Sequence, residues 1–180
     1  NGWNIKEDYV IVYELPDKKM ANSFSSYSTF ENYLGTKHSF ELNEKSQFSG
    51  DKSYQGFVEK NDKTISGSII NNSIEKITFK KDILFPIEHL LKLIRAAKSG
   101  KKIFTKKVFF GNEDEDFIKI VSAFIGQIRD SNLEDIEYLK AKKVWPIKVA
   151  FYREKTQQEN PEYEINLEID NLGVVHSYKV

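Results

Sequence analysis

Apolar residues at every second position constrain this chain more than any other feature. In Tyr163-Glu164-Ile165-Asn166-Leu167-Glu168-Ile169 the apolar side chains share one parity, while Glu162, Glu164, Asn166 and Glu168 share the other. Successive side chains of an extended strand point to opposite faces, so this stretch reads as a half-buried antiparallel strand. Asp170-Asn171-Leu172-Gly173 is its turn. The same period opens the chain: Trp3, Ile5, Tyr9, Ile11, Tyr13 and Leu15 share a parity that only Glu7 interrupts, and Pro16-Asp17 supplies a turn. Tyr27, Thr29 and Tyr33 lie in a second, more polar strand ending near Gly35. Thr36 to Leu42, Ser53 to Lys60, Thr64 to Ile70 and Ile74 to Lys80 read as further short strands between clusters of Gly, Asn, Asp and Ser.

Two later stretches are apolar on both parities. Lys102 to Phe110 and Phe117 to Ile125 are expected to lie centrally, covered on both faces, with residues 112–116 as a polar hairpin loop between them. Trp145, Ile147, Val149 and Phe151 form another buried parity. Pro146 within it points to an edge position or a bulge, because proline cannot donate to a ladder. Ser131 to Lys140 is a short-helix candidate. The sum is a mainly all-β fold: a sandwich, barrel or curled sheet carrying one substantial helix.

That helix is expected over Pro86 to Ser99. Proline suits the first helical position, where its missing N–H is not needed. Ile87, Leu90, Leu91, Ile94 and Ala97 trace one face, with Leu90 and Leu91 at its buried centre, while Lys92, Arg95 and Lys98 stay wet. Glu88 in the first turn and Lys98 in the last complement the helix dipole, and Gly100 closes the C-terminus.

Composition removes several classes of function. Lys+Arg and Asp+Glu number 27 each, giving a formal net charge of zero. A dedicated nucleic-acid binder needs excess positive charge, so no nucleic-acid partner is expected. No apolar run is long enough to span a bilayer, and a soluble product without a transmembrane segment is expected. The absence of cysteine removes disulfides, thiolate metal sites and cysteine nucleophiles from these residues. The chain starts at Asn1 and stops at Val180 within strand patterns, so the reading expects one 1–180 β domain truncated at both ends.

Candidate chemistry is sparse. Glu88 and His89 are adjacent, so their side chains diverge by about 100° on a helix. Zinc helices pair ligands at i and i+4, and here that position is Leu93. His89 is therefore read as a structural histidine, and His38 and His176 lie on separate strands. Glu113, Asp114, Glu115 and Asp116 lack the spacing and central glycine of a calcium loop and read as a solvated hairpin tip. Lys101, Lys102, Lys106 and Lys107, interleaved with Phe104, Phe109 and Phe110, read as guards against edge pairing rather than a surface for an anionic partner. No nucleophile elbow, P-loop or dinucleotide fingerprint occurs. No residue is assigned to catalysis, to a metal or to a cofactor. No cofactor is expected, and ligand-binding residues stay open.

Three blocks carry a resemblance. They are Leu84-Phe85-Pro86-Ile87-Glu88-His89-Leu90-Leu91 with Ala96-Ala97-Lys98-Ser99-Gly100 and Ile103-Phe104; Val108-Phe109-Phe110-Gly111 with Ile125-Gly126; and Trp145-Pro146-Ile147-Lys148-Val149-Ala150-Phe151-Tyr152 with Pro161-Glu162-Tyr163-Glu164-Ile165 and Asn171-Leu172-Gly173-Val174. Together with Gly2-Trp3, they resemble the EipB-like family of alphaproteobacterial periplasmic proteins, catalogued as a domain of unknown function. The resemblance is concentrated after Ile83 and thin between Leu15 and Lys80. It implies an all-β spiral, a long antiparallel sheet curling on itself with the helix packed against it. It also implies export to the periplasm, a part in cell-envelope integrity and no known enzymatic activity. The family's disulfide is absent here: its first cysteine would fall before Asn1 and its second beyond Val180. The hairpin loop is also more acidic than the family's usual version.

Three functions follow as expectations. The first is a non-catalytic envelope scaffold or interaction protein with an envelope protein or component as partner. The second is a lipid or peptide carrier using the concave face of the sheet, lined by Tyr9, Tyr13, Phe109 and Phe151. The third is an envelope-polymer hydrolase, which needs two carboxylates about 5 to 10 Å apart in a cleft.

Overall fold

A computed structural model describes residues 1–16, 18–47, 50–71, 73–111, 117–131, 143–154 and 160–179. The chain divides into two compact units, Asn1–Asp82 with Gly111–Asp114, and Ile83–Phe110 with Glu115–Val180. Each is built on a six-stranded antiparallel sheet. The mainly-β reading with one main helix holds.

The first unit is a meander. Strands β1 (Gly2–Glu14), β2 (Met20–Asn32), β3 (Lys37–Ser46), β4 (Lys52–Lys60), β5 (Thr64–Asn71) and β6 (Ser73–Lys80) pair in sequence order. The strands expected at 36–42, 53–60, 64–70 and 74–80 are all present, extended by a few residues. Asn32 makes the β2–β3 turn: its carboxamide oxygen accepts the N–H groups of Thr36 and Lys37 at 2.8 and 2.9 Å. Asn61 does the same between β4 and β5, accepting from Lys63 and Thr64. Ala21, Phe40, Tyr54, Val58, Ile65, Ile69 and Ile77 are its buried apolar side chains. The edge strand β1 differs from its parity: Trp3, Tyr9, Ile11 and Tyr13 are exposed, and so are Val10 and Val12 opposite.

In the second unit, helix α1 (Pro86–Lys98) precedes β7 (Ile103–Phe109), β8 (Ile118–Ile125), β9 (Arg129–Asp130), β10 (Lys143–Arg153), β11 (Tyr163–Asp170) and β12 (Val175–Lys179). The sheet order is β12-β11-β10-β8-β7, with β9 paired to β10. Leu93, Ile94, Ala96 and Ala97 of the helix pack with Val108, Val121, Ala123, Ile125, Trp145, Ile147, Val149 and Ile169. Pro86 occupies the first turn, and the Glu88 carboxylate reaches back to the Phe85 N–H at 3.4 Å. Gly100 (φ +78°) ends the helix in the left-handed region, where glycine has no Cβ to clash, and its N–H donates to the Ala97 carbonyl.

Three local expectations are corrected. Leu91 is exposed and Leu90 only half-buried, while His89, Leu93 and Ala96 lie inside. Apolar residues cover so wide an arc of this helix that periodicity could not fix its centre. The small Ala96 and Ala97 allow closest approach to the sheet and set the inward face there. β7 is not central but an edge strand, on which only Val108 and Phe109 are buried and Lys106 and Lys107 face water. Finally, Pro146 lies inside β10, a strand paired on both sides. It falls between Ile147, which pairs Ile125 of β8, and Val144, which pairs Arg129 of β9. The partner changes at the proline, so the ladder needs no donor from its nitrogen.

The acidic stretch 113–116 and the short-helix candidate after Ser131 lie outside the described residues.

Candidate functional site

The most organised polar constellation joins three residues distant in sequence. Asp170 ends β11 and opens the turn to β12, where Gly173 (φ +91°) takes the left-handed conformation. Asp170 Oδ1 accepts the N–H groups of Leu172 at 2.8 Å and Val174 at 3.0 Å, which pins the carboxylate. Its Oδ2 lies 3.3 Å from His176 Nε2, and His176 Nδ1 lies 2.8 Å from the Ser131 hydroxyl at the end of β9. The carboxylate and the hydroxyl thus face the two nitrogens of one ring.

A Ser-His-Asp chain has the membership of a nucleophilic triad, and its setting decides what it does. The side chains of His176 and Asp170 are 0% and 1% exposed, so the ring and its carboxylate are enclosed. Ser131 meets Nδ1, whereas the serine of a nucleophilic triad meets Nε2, and one oxygen of the Asp170 carboxylate is committed to its own turn. The arrangement braces the end of β9 against the β11–β12 hairpin.

A second polar cluster is ionic. Lys119 on β8 has its side chain 2% exposed and its Nζ 2.6 Å from Glu162, which Arg153 of β10 also contacts. Burial alone would raise the Glu162 pKa, but the hydrogen bonds from Lys119 and Arg153 outweigh it and hold the carboxyl below its ordinary value. Lys107 and Glu154 pair nearby at 2.7 Å. The lysines flagged in the sequence thus include one, Lys107, engaged in an ion pair.

The residues singled out by sequence fall as follows. His89 is buried on α1, its ring 5.4 Å from that of Phe104, and Glu88 pairs with Lys92 at 2.9 Å instead. Desolvation lowers the His89 pKa to about 4. His38 on β3 is buried in the other unit, its Nδ1 3.3 Å from the Thr29 hydroxyl, and its pKa is likewise lowered to about 4, first by desolvation. The four aromatics proposed to line a carrier face divide between the units. Phe109 is fully buried and Phe151 stacks on Tyr163 beside the core, whereas Tyr9 and Tyr13 are exposed on β1.

Each sheet carries surface depressions among the described residues, and one on each combines aromatic and polar side chains. That of the second unit, about 750 Å³, is floored by Ile103, Phe124 and Pro146 and edged by Lys102, Lys148 and Lys179. That of the first unit, about 400 Å³, is lined by Phe30 and Phe57 among Asn4, Ser28, Ser39, Gln55 and Ser68. Sequence reading found neither, nor the His176 brace. Each depends on strand register, which sets residues from different strands side by side. The one legible cue was the parity that Phe24, Ser26, Ser28 and Phe30 share along β2.

Comparison with known proteins places this architecture. A family model described as EipB-like matches residues 1–180. The cell envelope integrity protein EipB of Brucella abortus (strain 2308) is 28% identical over 98 residues, which are 52% of this chain and 35% of that protein's length. A crystal structure of a beta-barrel-like protein of a domain of unknown function from Brucella abortus aligns with a TM-score of 0.88 at 18% identity. That alignment covers 98% of this chain and 74% of the other, and the likeness is one of fold.

Proposed function

The chain belongs to the EipB-like family, and on that premise we propose that it is a non-catalytic periplasmic protein that contributes to cell-envelope integrity as a scaffold or interaction protein. The observation that carries this reading is the family match over residues 1–180, joined to a relative whose name records envelope integrity. The setting of the chemistry agrees with it. The Asp170 and His176 side chains of the polar chain are buried, and Lys119 and Arg153 share the Glu162 carboxylate. Among the described residues no helix is long and apolar enough to cross a membrane, and no group of three metal-ligating side chains occurs.

The test is genetic and biochemical. Deleting the gene should sensitise cells to detergent, and the full-length protein, crosslinked in the envelope, should recover a specific envelope component. Wild-type detergent resistance in the deletion strain, or a full-length fusion confined to the cytoplasm, would count against the proposal.

A further inference from the structure

One face of the β1–β6 sheet carries side chains that serve no core. Register places Asn4, Phe30, Ser39, Phe57 and Ser68 side by side across five strands. Ser28, Glu41, Gln55 and Ile70 form the adjoining row, which Lys6 opens on β1. All but Lys6 line the depression of about 400 Å³. Phe30 and Phe57 are 36% and 44% exposed. They stand on β2 and β4 with β3 between them, two strand spacings or roughly 9–10 Å apart.

The face is organised before any ligand arrives. The Phe30 ring lies over Gly2, where a Cβ would come within 2.6 Å of it, so the glycine leaves the space that the ring uses. Glu41 accepts a hydrogen bond from the Asn43 amide at 2.9 Å, and Asn43 accepts one from Ser53 at 2.9 Å.

The chemistry of the lining selects among ligands. The lining itself holds one carboxylate and neither lysine nor arginine; Lys6, paired with Asp8, and Lys76 flank it on β1 and β6, so cations stand at its margins rather than under a ligand, a poor match for nucleic acid or an anionic head group. An acyl chain laid across these hydroxyls and amides would strip them of water without offering a hydrogen bond. A sugar offers both things the face asks for: an apolar face of C–H groups for a phenyl ring, and a rim of hydroxyls for Ser, Asn, Gln and Glu. In an extended β-1,4-linked chain every second sugar presents the same face, and that repeat is close to two strand spacings.

We propose that this face binds a β-1,4-linked glycan, with Phe30 and Phe57 under alternate sugars and Asn4, Ser39, Gln55 and Glu41 at their hydroxyls. The proposal deepens the envelope-interaction reading and rests on it only for the source of the glycan. A test with purified components fails or succeeds independently of export and deletion phenotypes.

The experiment is calorimetric titration of the protein with cellohexaose and chitohexaose, with the α-linked maltohexaose as comparison. Binding of at least one β-linked hexamer is expected. Phe30→Ala and Phe57→Ala should each weaken it at least about tenfold, while Phe57→Trp retains it and Phe124→Ala on the other sheet leaves it unchanged. Both phenylalanines are exposed, so melting curves should show the variants folded. Amide shifts of the wild-type protein, mapped with the same sugars, read the site without any substitution and should cluster on β2, β3 and β4. No binding of either β-linked hexamer at millimolar concentration would overturn the proposal. So would equal binding of maltohexaose, survival of binding in the double alanine variant, or shifts clustered elsewhere.

Discussion

The β7–β12 sheet and the β1–β6 sheet have equal numbers of strands and unequal interiors. The first buries Val108, Phe109, Val121, Ala123, Val144, Trp145, Ile147, Val149 and Ile169, with the apolar side of α1 packed against it. The second buries fewer apolar side chains beside a similar set of polar ones: Ser23, Thr29, Glu31 and His38 on β2 and β3 are inside, as His89, Lys119, Asp170 and His176 are in the helix-bearing unit. Burial of apolar surface stabilises by about 25 cal/mol per Å², so stability should be concentrated in the helix-bearing unit. The other unit keeps a face of serines, amides and exposed rings that stability does not require. The densely packed core and the proposed glycan face thus fall in different units of one chain.

Substitutions in the helix-bearing unit should show the largest effects. Phe109 is fully buried, its ring 6.5 Å from that of Phe85 and 6.3 Å from that of Phe117. Phe109→Ala should cost about 3–5 kcal/mol in chemical denaturation. A loss under about 1 kcal/mol would break the contrast between the units. On the helix, Leu93→Ala should cost about 2–5 kcal/mol and Leu91→Ala under about 1. The reverse order would restore the periodicity-based face.

Acid should affect both units. His38 and His89 are held neutral by burial, with pKa values near 4 against 6.5 for an ordinary histidine. Below pH 6.5 the unfolded chain takes up protons that the folded chain refuses. Stability present at neutral pH is therefore lost as pH falls from about 6.5 towards about 4, on the order of 3 kcal/mol for each ring. His89→Leu should flatten the melting-temperature profile across that window. An unchanged profile would show that His89 does not titrate in this way.

The first unit should respond less. Ile65→Val, at a fully buried position on β5, should cost about 0.5–1.5 kcal/mol. Val12→Thr on the exposed β1 strand should stay within about 0.5 kcal/mol. A larger loss at Val12 would mean that β1 has a covering partner.

What the sequence disclosed follows the range of the interactions involved. Alternation located β3 to β6 and β11, because a strand's two faces differ locally. Pro86, Glu88 and Gly100 bounded the helix, because capping is settled within a turn. The exposed face of β1 and the edge position of β7 were not legible, since a strand's neighbours depend on the order of the whole sheet. The centre of the helix face was lost among too many apolar residues, and Leu91 paid for the ambiguity. The candidate sites were the least legible. Ser131 and His176 are 45 residues apart, and Phe30 and Phe57 become companions only through two successive registers across β3.

Native-state hydrogen exchange tests the division most directly, because it reads the stability of each strand separately. The slowest amides are predicted in β8, β10 and β11, where strands are paired on both sides over the helix-packed core, with β1 and β2 exchanging markedly faster. Protection in β1 and β2 equal to or above that of β8 and β10 would contradict the account.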